Sequence, residues 1–168
     1  MSFSIRPYHI DAHACAEVYF HAVQRGTHEK YTGAQRNAWA PKIPAPLTYL
    51  ADENCVIAEA KSKVIGFMSV TAEHHISMAF VHPDWHRQGV AGALYDRLLE
   101  SVKTPPKTVH ASLIAQPFFE KKGLGCRQKR RTFDPRRHAD PAFDAIGLGR
   151  ACLSIFMGGL TEGLKQRA

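Results

Sequence analysis

The residues best suited to chemistry lie in residues 85–92, where the chain reads WHRQGVAG. His86 and Arg87 bring positive potential, and no acidic residue lies within this stretch to cancel it. Gly89 and Gly92 allow the backbone to approach a ligand closely. A helix that begins here would offer unpaired backbone N–H groups and a partial positive charge to a phosphate. The pattern therefore predicts an anion-binding site.

Elements on both sides are predicted to hold this loop. Residues 76–81 (ISMAFV) are mostly apolar, with branched and aromatic members, which predicts a short strand that Pro83 ends. Beyond Gly92, apolar residues recur near helical spacing, which predicts an amphipathic helix. An ordinary strand-to-helix turn shares these features, so both interpretations stay open. The G-x-x-x-x-G-K-[ST] loop and the full dinucleotide fingerprint are absent.

The segment that begins at Val81 resembles the acetyl-CoA signature of the GNAT superfamily of N-acetyltransferases. That signature reads V-x-P-x-x-[QR]-x-x-G-x-[GA] and leads into a leucine-rich helix. Val81, Pro83, Gly89 and Ala91 occupy the matching positions, while His86 stands where Gln or Arg is usual. A histidine can still donate a hydrogen bond, but its charge depends on pH.

A second segment, IAQPFFEKKGL, is similar to the family pattern A-x-x-[FY]-[FY]-E-[KR]-x-G-[FL]. The matched residues are Ala115, Phe118, Phe119, Glu120, Gly123 and Leu124. The resemblance covers about residues 3–125 and implies an α/β fold of the α+β type. Its central sheet is mixed and mostly antiparallel, with about six to seven strands that splay apart between strands 4 and 5, and about four helices flank it.

The pattern along the chain agrees with one domain that spans residues 1–168, a length that suits a single core. A first strand over residues 3–6 precedes a helix that Asp11 caps and that runs to about Gln24. A second helix is predicted from residue 27 or 28 to residue 40. The later predicted strands cover residues 55–60, 64–70 with a bulge at Gly66, 108–113 and 151–157, and a short helix lies in AQPFFEKKG.

The resemblance implies that acetyl-CoA is the co-substrate. Its pantetheine arm would lie in the gap between strands 4 and 5, against the backbone of Phe80 and Val81, and a backbone N–H near Phe80 would face the thioester carbonyl. Its pyrophosphate would rest on the loop and the helix start. The residues expected there are His86, Arg87, Gln88, Gly89, Val90, Ala91 and Gly92, and Ser112 and Phe119 complete the expected cofactor contacts.

Catalysis requires an acceptor amine that has lost a proton. Among Glu73, His74 and His75 at the start of the signature strand, Glu73 and His75 are the candidate bases, acting directly or through a water. Glu73 is preferred, because glutamate is the commoner choice at comparable positions of the family. The family often protonates the leaving thiolate with a tyrosine at the position that Phe119 occupies here, so no general acid is assigned. The many histidines do not predict a metal site, because the neighbours His74 and His75 would point to opposite faces of a strand.

The acceptor pocket is expected at the second helix. Tyr31, Gln35 and Trp39 recur every four residues and would share one helix face, and the stretch EKYTGAQRNAWAP resembles a GNAT subgroup. Trp39 would equally serve as a core anchor. In that subgroup the signature strand often begins Ile-Asp, whereas this chain has Ser77 in place of the acid, which removes a carboxylate for a cationic acceptor.

Composition favours an intracellular, cytoplasmic protein without a membrane span, because no signal pattern and no long apolar run is present. The net charge of +7 suits coenzyme A and also nucleic acid. Residues 121–137 hold eight Lys and Arg, but no nucleic-acid motif accompanies them, so nucleic acid is not the favoured partner. The competing function is a binding module, either a coenzyme A sensor or a basic nucleic-acid-associated protein.

Residues 126–168 depart from the family pattern, since they contain Asp-Pro breakers and several glycines. One explanation is a long variable loop that serves as a lid or as the contact of a homodimer. The other is a shifted reading frame of the source gene near residue 125.

Overall fold

Seven strands form one mixed sheet in a computed structural model of the chain, which describes residues 2–126 and 153–157. The strands are β1 (Ser4–Pro7), β2 (Asn54–Ala60), β3 (Lys63–Val70), β4 (His75–Val81), β5 (Thr108–Ala111), β6 (Leu124–Cys126) and β7 (Leu153–Met157). The helices are α1 (Ala12–Gln24), α2 (Gly33–Trp39), α3 (Val90–Ser101) and α4 (Gln116–Lys121). The strand order is β1-β2-β3-β4-β5-β7-β6, and only the β4–β5 pair is parallel. The predicted fold class is confirmed.

The β2–β3 hairpin closes through a two-residue turn, Lys61 and Ser62. Lys61 and Ser62 both have positive φ values, 50° and 60°. Such turns match the right-handed twist of the paired strands. The ladder then skips Ile65, because Ala58 pairs with Gly66 while the next residue of β2 pairs with Val64. The predicted bulge therefore lies at Ile65, one residue before Gly66.

Helices cover both faces of the sheet, and each face has its own apolar cluster. One cluster joins α3 and α4 to the sheet, and we call this side the α3 face; its most buried members include Ala58, Ile76, Leu94, Leu98, Phe119 and Leu124. The other joins α1 to the sheet, and we call this side the α1 face; its members include Cys15, Val18, Leu50, Ile57 and Phe67. Since both faces of the central strands are buried, those strands read as continuous apolar runs.

Helix α1 begins after Asp11, as predicted, but the carboxylate of Asp11 does not cap the helix. It accepts hydrogen bonds from Arg6 Nη1 and Nη2 at 2.9 and 2.8 Å and from the backbone N–H of His9 at 3.0 Å. The hydrogen bond from Arg6 lowers the pKa of Asp11 below its ordinary value. Asp11 therefore fastens the start of α1 to the edge strand β1.

Helix α2 is shorter than the sequence pattern predicts, and the predicted start at residue 27 or 28 is wrong. Thr32 is the N-cap, its hydroxyl accepts from the backbone N–H of Gln35, and the side chain of Gln35 accepts from the backbone N–H of Thr32. This reciprocal capping box satisfies two backbone donors at the helix start. Tyr31 consequently precedes the helix. No helix in the described residues is long and apolar enough to cross a membrane.

Candidate active site

Strands β4 and β5 separate almost as soon as they meet. Their parallel ladder consists of two residue pairs, His75 with Thr108 and Ile76 with Val109. Residues 77–81 of β4 pair with no strand on that side within the described part of the chain, and they are half-buried while the neighbouring strand β3 is buried from Ile65 onward. We call the opening beside residues 77–81 the β4–β5 slot.

The register of β4 determines which backbone groups face the slot. The N–H of His82 donates to the carbonyl of Ile65 at 2.7 Å, and Phe80 lies opposite Phe67. Because hydrogen-bonded and non-hydrogen-bonded pairs alternate in an antiparallel ladder, the backbone groups of Phe80 face β3. Those of Ala79 and Val81 face the slot instead.

The loop after β4 exposes the start of α3. Arg87 and Gly89 have positive φ values of 61° and 81°, and Gly89 is the N-cap of the helix. Neither a side-chain cap nor an acidic residue is present in the first turn. A Cβ added at Gly89 or Gly92 would meet nothing within 4 Å. The space around Gly89 and Gly92 is therefore open, and the uncapped N-terminus of α3 is suited to a phosphate.

Two predicted phosphate ligands also hold the loop itself together. His86 Nε2 lies 3.0 Å from the carbonyl oxygen of Val81, and its ring packs against Gly26, whose added Cβ would come within 2.9 Å of the ring. Gln88 Nε2 donates to the carbonyl of Asp84 at 2.9 Å. Arg87 is exposed and is not held in this way. Its guanidinium is consequently the accessible positive charge of the loop.

The other two predicted cofactor residues lie beyond the end of β5 and occupy structural positions. The hydroxyl of Ser112 accepts from the backbone N–H of Ala115 at 3.2 Å and closes the turn into α4. Phe119 is only 1% exposed and belongs to the cluster of the α3 face, with its ring 5.0 Å from that of Phe118. Neighbouring apolar residues cover the Phe119 side chain, and its assignment to the cofactor stays a prediction. Phe118 is the more accessible of the two rings.

The three predicted acceptor residues do not form one helix face. Tyr31 and Trp39 are buried and meet edge to face with ring centroids 5.5 Å apart. The hydroxyl of Tyr31 accepts from the backbone N–H of Leu113 at 3.0 Å, which ties this region to the chain just after β5. Gln35 is exposed and is engaged in the capping box of α2. The expectation that Trp39 serves as a core anchor agrees with its burial.

The two candidate bases lie in different settings. Glu73 is in the turn between β3 and β4 and is exposed, and the nearby hydroxyl of Thr71 lowers its pKa. His75 is the first residue of β4, and its Nδ1 lies 2.6 Å from the hydroxyl oxygen of Thr108. Since Val109 packs in the cluster of the α3 face, its neighbour Thr108 faces the α1 side. His75 therefore lies on the α1 face at the closed end of the slot.

One polar cluster at the slot was missed by the sequence reasoning. The ladder between β3 and β4 skips Ser77, which makes Ser77 a bulge in the signature strand. Its hydroxyl donates to the carboxylate of Glu53 and lies 2.8 Å from the hydroxyl oxygen of the fully buried Ser69. The available signal was the isolated serine in each of two apolar strands. Glu53 carried no such signal, because it lies in a polar stretch ahead of β2.

The described residues contain no group of three or more His, Cys, Asp and Glu placed to hold a metal ion. The polar groups around the slot are thus backbone amides, hydroxyls, one carboxylate and the imidazole of His75.

Comparisons with known proteins place this geometry in context. Residues 28–138 match the family model described as an acetyltransferase (GNAT) domain. The chain is 36% identical over 111 residues to the uncharacterized N-acetyltransferase YafP of Escherichia coli K12, which covers 66% of this chain and 71% of that protein.

Solved structures show the same fold. A GCN5-related N-acetyltransferase from Rhodopseudomonas palustris superposes with a TM-score of 0.66 at 25% identity, over 93% of each chain. The PaiA N-acetyltransferase of Thermoplasma acidophilum, solved in complex with coenzyme A, gives a TM-score of 0.61 at 14% identity, over 92% of this chain and 98% of that one.

Proposed function

The chain belongs to the GNAT acetyltransferase family, and on that premise we propose that it transfers an acetyl group from acetyl-CoA to a primary amine. The acceptor would be a small molecule or a peptide, and the amine would attack directly while both substrates are bound. The observation that carries the proposal is the β4–β5 slot together with the uncapped start of α3, the helix that follows β4 in the chain.

The backbone of β4 supplies the donor site in this proposal. The N–H and C=O of Ala79 and the N–H of Val81 face the slot and would bind the pantetheine amides, as the pairing side of a strand binds another extended chain. The carbonyl of Val81 is already engaged by His86. The first N–H groups of α3, from Gly89 to Gly92, would hold the pyrophosphate, and Arg87 would add a charge-assisted contact. His86 and Gln88 act by fixing the loop. This placement moves the backbone role from Phe80 to its neighbours.

The same strand offers what the transition state requires. Negative charge develops on the thioester oxygen when the amine attacks, and a backbone N–H aimed at that oxygen stabilises it. The N–H of Ala79 is our candidate, because it faces the slot near the bulge at Ser77. We assign the base to His75 rather than Glu73, because His75 lies on the α1 face beside the slot. A thiolate is a tolerable leaving group at neutral pH, so a water can protonate it in place of the family's tyrosine.

Calorimetric titration with acetyl-CoA, followed by thiol release over a panel of amines, tests the proposal. We expect saturable binding that Gly89→Leu abolishes, because the leucine side chain would fill the space in front of the α3 amides. Gly123→Leu is the matched control, since Gly123 has a similar φ of 84° and equally open surroundings. It should cost comparable stability and leave binding intact. Absence of coenzyme A binding by the native chain would refute the proposal.

The base assignment is tested by His75→Ala against His74→Asn. Removal of a general base typically costs about 10²–10⁴-fold in rate. His74 is a suitable control because its φ of 62° is one that asparagine adopts readily. Equal turnover by the two variants would contradict the role of His75. If acetyl-CoA binds but no amine causes release of the thiol, the sensor function is favoured instead. The basic residues 127–137, on which the nucleic-acid alternative depends, lie outside the described residues.

A further inference from the structure

The carboxylate of Glu53 is held across the sheet by β4. Glu53 lies two residues before Cys55, which packs in the cluster of the α1 face, so both side chains point to that face. From there the Glu53 carboxylate reaches over β3 and accepts a hydrogen bond from the Ser77 hydroxyl. Because Ser77 uses its only proton in that bond, the hydroxyl of Ser69 must donate to Ser77. The carboxylate therefore has a fixed position.

That position lies where the slot opens. Ser77 is the first residue of β4 beyond the two pairs that join β4 to β5. It is also the bulged residue, so its side chain departs from the regular alternation of the strand. His75 lies two residues earlier on the same strand, roughly 7 Å away along the backbone. Glu53 and the candidate base thus flank the same end of the slot on the α1 face.

The charge of Glu53 has no counter-ion in the part of the chain that the structure describes. None of the ion pairs found there includes Glu53. The residue is half-buried, so its carboxylate is partly removed from water. The hydrogen bond from the neutral Ser77 hydroxyl offsets only part of the cost of removing this charge from water. A cation bound at the carboxylate would therefore be favourable.

We propose that Glu53 binds the ammonium group of the acceptor, so that the enzyme selects primary amines that arrive as cations. This inference rests on the proposed acetyl transfer and names the acceptor class for the same site. It also replaces the expectation that Ser77 leaves the strand without an acidic group for a cationic acceptor. The acid comes from the residue before β2, and Ser77 orients it.

The ammonium bound by Glu53 transfers one proton to His75 and becomes a neutral amine. Its nitrogen then bonds to the acetyl carbon, the carbon–sulfur bond breaks, and the electron pair leaves on sulfur. A second proton from nitrogen ends on sulfur, which yields an amide and a thiol, and His75 returns its proton to water.

The test compares Glu53→Gln with Asp52→Asn in the full-length chain. Glutamine keeps the size of the side chain and can still accept from Ser77, while Asp52 is an exposed neighbour whose replacement removes the same charge. For alkylamines we expect kcat/KM to fall about ten- to hundred-fold in Glu53→Gln, as for loss of a charged hydrogen bond. The KM for acetyl-CoA should not change, and Asp52→Asn should behave as the native enzyme.

A second acceptor separates recognition of charge from support of the fold. Hydrazides of matched shape are uncharged at neutral pH, so their kcat/KM should be nearly the same in Glu53→Gln and in the native enzyme. The role of Glu53 would be overturned if Glu53→Gln lost kcat/KM equally for alkylamines and hydrazides, or if Glu53→Gln and Asp52→Asn behaved alike. Either result would leave the acetyl transfer intact. If the native chain acetylates no amine at all, the proposed function fails and this inference fails with it.

Discussion

At the scale of single residues, polar groups from separate strands combine at one point of the sheet. The loop glycines could be recognised from the sequence, because their function depends on their own backbone. Glu53 could not, since its partner Ser77 is 24 residues away in the chain and becomes a neighbour only through the β2–β3–β4 pairing. Tyr31 shows the same limit, because its contact with Leu113 spans 82 residues.

The bond between Asp11 and Arg6 predicts how acid affects stability. The pKa of Asp11 is lowered in the folded chain, so its contribution is present above its unfolded pKa of about 3.9 and disappears as pH falls through the folded value. We expect Asp11→Asn to lower the free energy of unfolding by about 1 kcal/mol at neutral pH.

Urea denaturation at a series of pH values measures this contribution. The difference between Asp11→Asn and the native chain should shrink below the unfolded pKa. Glu100→Gln removes an exposed partner of Arg97 and should change stability little at any pH. A difference that stays constant down to strongly acidic pH would contradict the assignment.

At the scale of elements, the position of α3 against β3 and β4 sets the site. Apolar spacing predicted α3 and β4 correctly, because each buries one stripe or one face. The same reasoning started α2 too early, since a periodic pattern does not say where a helix begins. Thr32 and Gln35 do mark the start of α2, because a Thr followed three residues later by a Gln is the sequence pattern of a capping box.

Two glycines of this region should respond oppositely to alanine. A Cβ at Gly66 would come within 3.1 Å of the carbonyl oxygen of Phe80 and 3.2 Å of Leu94 Cδ1. Gly66→Ala should therefore destabilise the chain by about 1–3 kcal/mol, as overpacking does. Gly92→Ala meets no neighbour and should stabilise α3 by up to about 1 kcal/mol, yet weaken acetyl-CoA binding.

Denaturation curves and calorimetric titrations of both variants give the two readouts. A stable Gly66→Ala would show that α3 can move away from the sheet. Unchanged acetyl-CoA affinity in Gly92→Ala would show that the ligand does not approach the first turn of the helix.

At the scale of the whole molecule, the order of strands and helices followed from the resemblance, and β7 matches the strand expected within residues 151–157. The lid, dimer contact or reading-frame shift expected for residues 126–168 stays a prediction, because most of that stretch lies outside the described residues. The sequence allowed no sharper prediction for this stretch, because it has little of the hydrophobic periodicity from which helices and strands are inferred.

The short β4–β5 junction predicts a response of the entire sheet to acetyl-CoA. A ligand in the slot binds only the folded chain, so at about a hundred times its Kd it should add roughly 2.7 kcal/mol and raise Tm by about 5–10 °C. Hydrogen exchange should slow at the amides of Ala79 and Val81. The amide of Phe80 is an internal control, because it already faces β3. If acetyl-CoA changed hydrogen exchange at none of these three amides, binding in the slot would be contradicted.

The unpaired side of β4 is also an edge strand placed in the middle of a sheet. Edges with free N–H and C=O groups invite pairing with other chains, and proteins usually protect them. Here the protection would come from a metabolite, since acetyl-CoA would occupy the groups of Ala79 and Val81. We therefore expect the protein to aggregate more readily when acetyl-CoA is absent than when it is bound.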